Sequence, residues 1–208
     1  MNDRHEELRI EYGDHDGVRR LLDVVRYCLE GISLDFDRWD ERHTLGPGLY
    51  VAIVAAPTLS PYADPMGEER WPIERCRRIG PDVGPFSDVA HEVARTGDGA
   101  VVVGVDGVIE ETMVRFRTPP NVAEDDRPEY APWMGSRHMS ALDTSIHPDV
   151  VGTVTLSAES GRVTTFRDGS YESTERELFA SRWRGGDGDN GTEDGSGGYR
   201  NGRPKSDR

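Results

Sequence analysis

Asp98-Gly99-Ala100 sets a carboxylate and a glycine at the turn leading into the apolar run 100–103. An Asp at the mouth of a buried strand projects its carboxylate into the crevice at the strand's end, and the glycine lets backbone approach a ligand closely. A carboxylate so placed can ligate Mg²⁺ or Mn²⁺, or orient a ribose hydroxyl for attack. The same tripeptide is also an ordinary Asp-Gly turn. The second candidate, Gly135-Ser136-Arg137-His138, carries more chemistry. Ser136 is a natural N-cap for a helix over 137 to about 146, with Met139, Leu142 and Ile146 as its buried stripe. The free N–H groups and positive dipole end there suit a phosphate. Arg137 adds a planar guanidinium for bidentate phosphate contact, and His138 a second donor. Charge-assisted bonds of this kind contribute roughly 1.5–3 kcal/mol each, enough to position a triphosphate. A capped surface helix with solvated Arg and His accounts for the same four residues.

The elements that must position these residues alternate between helical and strand patterns. Val18, Leu21, Leu22, Val25, Cys28, Leu29 and Ile32 follow helical spacing, with Arg19, Asp23, Arg26 and Glu30 on the opposite side and Asp14 or Asp16 as the cap. The run 49–56 reads as a strand buried on both faces. A proline- and charge-rich excursion over about 57–85 precedes a short helix carrying Phe86, Val89, Ala90 and Val93 and ending near Gly97. Asp106-Gly107 is a tight-turn signal between 100–103 and a returning strand opened by Val108-Ile109. After a loop over about 119–132 and the Arg137 helix, which His147-Pro148 stops, 151–156 and 162–166 pair around Ser160-Gly161. Thr174 and Glu177 have capping-box spacing for a last helix through Leu178, Phe179 and Trp183. The sum is a single α/β domain over 1–183, a central mixed β-sheet flanked by helices. Residues 184–208 hold eight glycines and one apolar residue, Tyr199. Such a tail buries too little surface to offset its ordering entropy and is expected to be disordered.

Taken together, the motifs resemble the diadenylate cyclase family. That family is marked by Asp-Gly-Ala at a strand's start, then Gly-Thr-Arg-His-Arg opening a helix, then a strand ending in Ser-Glu-Glu and a hairpin. Here the segments occur in that order as Asp98-Gly99-Ala100, Gly135-Ser136-Arg137-His138-Met139 and Ser157-Ala158-Glu159, within a resemblance spanning about 49–169. The chain looks like the stand-alone archaeal members. The resemblance implies condensation of two ATP molecules into cyclic di-AMP with release of two pyrophosphates, across a homodimer or larger oligomer. By carry-over, Asp98 would activate the ribose 3′-hydroxyl and, with Glu159, hold a divalent metal (Mn²⁺ or Mg²⁺). Gly99 and Ala100 would present backbone to ATP; Gly135, Ser136, Arg137 and His138 would bind its phosphates; Ser157 and Glu159 would complete the shell. Arg115 and Phe116 fall near where the family contacts the base. Met139 stands where the family has a second arginine and Ala158 where it has a glutamate. These departures leave an alternative open, a degenerate module that senses ATP or cyclic di-AMP without turnover.

Composition excludes other partners. The chain has 39 acidic against 25 basic residues, a net charge of −14, with Lys205 as its single lysine. The tail is neutral, five basic residues against five acidic, so the excess lies on residues 1–183. An acidic domain argues against nucleic acid as a partner. Acid-rich, lysine-poor surfaces suit concentrated salt, which shortens the range of self-repulsion, and point to a halophilic source. An acidic protein from a GC-rich genome would share the arginine preference. No apolar run suits a membrane span and the N-terminus is too polar for a signal peptide, so a cytoplasmic protein is expected. Cys28 and Cys76 are too few for a disulfide framework or a zinc site. Glu110-Glu111 and Glu124-Asp125-Asp126 read as solvated charge. His43, His91 and His147 show no ligand spacing, and Trp133 and Met134 suit either an adenine neighbour or a loop anchored in the core.

Overall fold

Leu49–Val54 is buried at every position, because the strand it forms, β1, lies in mid-sheet with helices over both of its faces. The computed structural model describes residues 15–55, 63–66, 71–117 and 128–185. In chain order the elements are α1 (Asp16–Asp35), β1, β2 (Ala63–Pro65), α2 (Gly84–Thr96), β3 (Ala100–Gly104), β4 (Ile109–Phe116), α3 (Ser136–Thr144), β5 (Val150–Leu156), β6 (Val163–Arg167), β7 (Ser170–Thr174) and α4 (Arg176–Gly185). The strands form one mixed sheet in the order β2-β4-β3-β1-β5-β6-β7. β1 and β3 are parallel, joined by the crossover through α2, and every other neighbouring pair is antiparallel. The expected α/β architecture is the observed one.

The sheet's two faces are covered unequally. Helices α1, α2 and α4 shelter one face, where Val25, Leu29, Ile32, Phe86 and Phe179 pack onto Val51, Ile53, Val101, Val103, Val154 and Leu156. Burying a side chain of this size contributes roughly 1.5–3 kcal/mol, and this face carries most of the core. Helix α3 lies on the other face, over Tyr50, Ala52, Ala100, Val102, Val114 and Phe166. Among the described residues no helix is long and apolar enough to cross a membrane.

Several local expectations give way to longer-range partners. The cap of α1 is His15, whose Nδ1 accepts the Gly17 N–H at 3.1 Å; Asp16 sits in the first turn and pairs with Arg19. Glu30, expected on the exposed side of α1, is 7 % exposed beneath α4, where Arg26 and the Trp183 indole donate to it. Thr174 does not cap α4. It stays in β7 and its hydroxyl accepts from Arg26, while the Glu175 carbonyl accepts the N–H groups of Leu178 and Phe179. The excursion over 57–85 contributes the short edge strand β2, and Trp71 from it stacks on Phe86 at 5.5 Å. β7 follows β6 through Asp168-Gly169, both at positive φ, a second hairpin beyond the expected one. Helix α4 reaches Gly185; the rest of the glycine-rich tail, most of the loop over 119–132, and Asp14 lie outside the described residues.

Candidate functional site

The chain enters β3 through a sharp turn at Gly99, whose φ of +76° lies in the region that favours glycine. This turn turns the Asp98 carboxylate outward: the side chain is 73 % exposed and its Oδ1 accepts the Gly99 N–H at 2.8 Å. Ala100, one step on, is fully buried under α3 and lies beneath the site rather than in it.

Across from Asp98 stands the N-terminus of α3. Its N-cap is Gly135, in extended conformation, and no side chain caps the helix. Ser136, expected to be the cap, is instead the first helical residue. The amides of the first turn therefore have no intrahelical or side-chain acceptor, the arrangement that favours a bound anion. Glu159 lies alongside, its Oε1 4.0 Å from where a Cβ on Gly135 would be.

Arg137 extends from this turn toward Asp98, with 4.0 Å between Nη2 and Oδ1. Its side chain is 26 % exposed and makes no hydrogen bond among the described residues. Burial lowers its pKa from the ordinary value and the Asp98 charge opposes that shift. A guanidinium stays charged regardless. The result is a half-buried cation with no hydrogen-bond partner among the described residues, beside uncapped amides.

His138 points the other way. It is 4 % exposed, edge-on to Trp133 at 5.1 Å between ring centres and near Phe166, and its Nε2 has no hydrogen-bond partner. Burial, reinforced by the charges of Arg137 and Arg162, pushes its pKa down to about 4. The ring is neutral near pH 7, so it adds no cation to the site. Met139, expected in the buried stripe, is half-buried: it packs against the core on this face and also lines the cleft, while His138, Ala141, Leu142 and Thr144 take the buried side of α3.

These pieces border one open cleft of about 700 Å³. Asp98, Gly99, Gly135, Ser136, Arg137, His138, Ser157 and Glu159 all line it, with Arg115, Phe116 and Arg117 on the β4 side. Ser157 Oγ accepts the Glu159 N–H at 3.3 Å, which holds the turn after β5. Leu45 and Met66 form an apolar part of the rim. Tyr50 and Thr144 also line it, with buried hydroxyls that approach each other without completing a hydrogen bond. Sequence patterning gives them no prominence, since Tyr50 sits inside an apolar run; its lone hydroxyl there is the one signal.

The remaining candidates lie elsewhere. Met134 is buried, and Trp133 packs between His138 and Tyr171 with Arg162 over its ring at 4.6 Å, so both anchor a loop. His91 faces Asp35 and His147 bonds the Arg117 carbonyl. Glu110 is exposed, whereas 124–126 lie outside the described residues. No cluster of three His, Cys, Asp or Glu suited to a metal occurs among the described residues.

No protein-family model matches the sequence, and no curated protein matches it. Solved structures are similar to it, two of them as follows. One is a hypothetical membrane spanning protein from Bacillus cereus, at 14 % identity and a TM-score of 0.49, over 74 % of this chain and 63 % of that one. The other is a double mutant of DacA from Staphylococcus aureus, at 17 % identity and a TM-score of 0.42, over 79 % of this chain and 93 % of that one. The chain thus spans somewhat under two thirds of the length of the Bacillus cereus protein.

Proposed function

We propose that this chain is a diadenylate cyclase, joining two ATP molecules into cyclic di-AMP with release of two pyrophosphates. One observation carries the reading: three segments distant in sequence meet at one cleft, where the half-buried Arg137 stands 4.0 Å from Asp98 beside the uncapped start of α3. The resemblance of those same segments to the family's motifs gives the cleft its chemistry.

In this reading the α3 amides and Arg137 hold the triphosphate and balance its charge. Asp98 orients the ribose 3′-hydroxyl, whose oxygen bonds to the α-phosphorus of the ATP on a facing protomer. The bond from that phosphorus to the bridging oxygen breaks, pyrophosphate departs, the hydroxyl proton is lost, and the reciprocal step closes the ring. Phosphoryl transfer of this kind needs alignment and charge neutralisation above all. Asp98 and Glu159 supply two carboxylates and the phosphates supply further oxygens, a donor set that fits Mg²⁺ or Mn²⁺ arriving with the nucleotide. Such an ion would neutralise charge on the phosphates. The enzyme works as a homodimer or larger oligomer on soluble nucleotides, in the cytoplasm, with no nucleic acid or membrane partner.

Met139 lines the cleft where the family carries an arginine, and this favours a second reading, nucleotide binding without turnover. Incubation with ATP and Mn²⁺ in high-salt buffer, followed by mass spectrometry, separates the two. Cyclic di-AMP from the wild type and none from Asp98→Asn supports the cyclase; binding without product across metals and salt supports the sensor; neither binding nor product removes both.

A further inference from the structure

The Arg137 guanidinium lies against Gly48, 4.0 Å from Asp98. A Cβ at Gly48 would overlap the Arg137 guanidinium and lie 2.9 Å from the Ala158 methyl. The arginine therefore occupies the space a side chain at 48 would take, with Ala158 as the opposite neighbour. Neither wall is free to give way. The Gly48 N–H donates to the Ala94 carbonyl and the Gly46 N–H to the Ala158 carbonyl, each at 2.8 Å, and the following residues pair as Leu49 with Leu156 in the β1–β5 ladder. Gly46 is itself packed under the Trp39 ring, leaving the loop little room to retreat. The conformation of Gly48 does not call for glycine, since its φ lies outside the positive range. The crowding comes from the Arg137 guanidinium and the Ala158 methyl.

We infer that Gly48 is a positioning residue for Arg137: with Ala158 it forms a slot of small residues that holds the guanidinium within the cleft wall, aimed at a bound polyphosphate. The inference rests on the polyphosphate reading above. A methyl at 48 meets the short, fixed Ala158 methyl and the far end of a flexible arginine, so the arginine is what moves.

A double-mutant cycle tests it, with inorganic tripolyphosphate and ATP as probes in titration calorimetry on the full chain. Arg137→Ala should weaken binding by about 10- to 100-fold, the range for one or two charge-assisted contacts. Gly48→Ala should weaken it by about tenfold. In the Arg137→Ala background Gly48→Ala should have no further effect, because there is no guanidinium left to displace. A Gly48→Ala loss that persists in full in that background overturns the inference, as does wild-type affinity in Gly48→Ala. If Gly48→Ala folds poorly, Gly48→Ala/Ala158→Gly relieves the contact with the Ala158 methyl while keeping the overlap with Arg137, and should bind as weakly. A ligand-free readout keeps the slot testable if no variant, the wild type included, binds either probe. The Arg137 Nε–Hε resonance, assigned by its loss in Arg137→Ala, should move in Gly48→Ala; an unmoved resonance overturns the slot, and a moved one with no binding overturns only the polyphosphate reading.

Discussion

The two faces of the sheet obey different rules. Beneath α1, α2 and α4 the layer is apolar and its buried polar groups are paired: Glu30 receives Arg26 and Trp183, Ser33 donates to the Gly161 carbonyl, and Trp71 donates to the Cys76 carbonyl. Under α3 the buried hydroxyls of Tyr50, Thr144 and Thr155 and the His138 Nε2 all lack partners. Thr155 belongs to this face because it sits opposite Tyr50 in the ladder. Among the described residues, every buried unpartnered polar side-chain atom lies on the face that bears the cleft. Each such group costs about 1–3 kcal/mol, so one face supplies stability and the other spends some of it beside the cleft.

The contrast can be broken or sharpened in four ways. Asp98→Asn, on the open face, should lower turnover by about 10²- to 10⁴-fold, the range for a positioned acid–base group, and leave the melting temperature unchanged. A parallel fall in melting temperature would show that Asp98 also holds the fold. Phe86→Ala on the closed face should do the reverse, costing about 3–5 kcal/mol in urea unfolding without a specific effect on nucleotide affinity in the folded fraction. His138 gives a pH signature. Its folded-state pKa, about 4, lies below its ordinary value, so at intermediate pH the unfolded chain binds the extra proton. Stability should fall by of order 3 kcal/mol as pH drops from about 6.5 to 4 and level off below that. His138→Phe should flatten most of that slope in unfolding curves taken across the range. The buried His147, whose pKa is also lowered by burial, contributes in the same direction. The smallest effect is Thr155→Val, which removes an unpartnered hydroxyl at nearly constant volume. It should be neutral or stabilise by up to about 1 kcal/mol, and a clear destabilisation would reveal a partner for that hydroxyl.

The same division separates what sequence patterning reveals from what it conceals. The β1 run, 100–103 and the α1 stripe are apolar because they face the closed core, and their periodicity marks them plainly. Asp98, Arg137 and Glu159 are legible through the order in which three motifs occur, since each motif alone also suits an ordinary turn or a surface helix. Local grammar misleads where a distant residue takes the group it relies on: Arg26 claims the Thr174 hydroxyl, and α4 covers Glu30. On the open face, Trp133 and Phe166 draw His138 inward, so that Met139 packs on the core only in part and also lines the cleft, a placement that no spacing within the helix announces. Strand β2 is short and ends in proline, and β7 alternates serine with Tyr171 and Glu172; neither has enough apolar character to stand out.

The strand order has a consequence for how the molecule can be divided. Strands β1 to β4 form one contiguous side of the sheet and β5 to β7 the other, joined by the single β1–β5 seam. Gly48 and Asp98 come from the first part of the chain; Arg137, Ser157 and Glu159 come from the second. Neither part owns a site. Two separately made fragments, one per side, would each carry half of the cleft, and the proposed activity would appear only when the two edges zip together, so that turnover would gauge that mating.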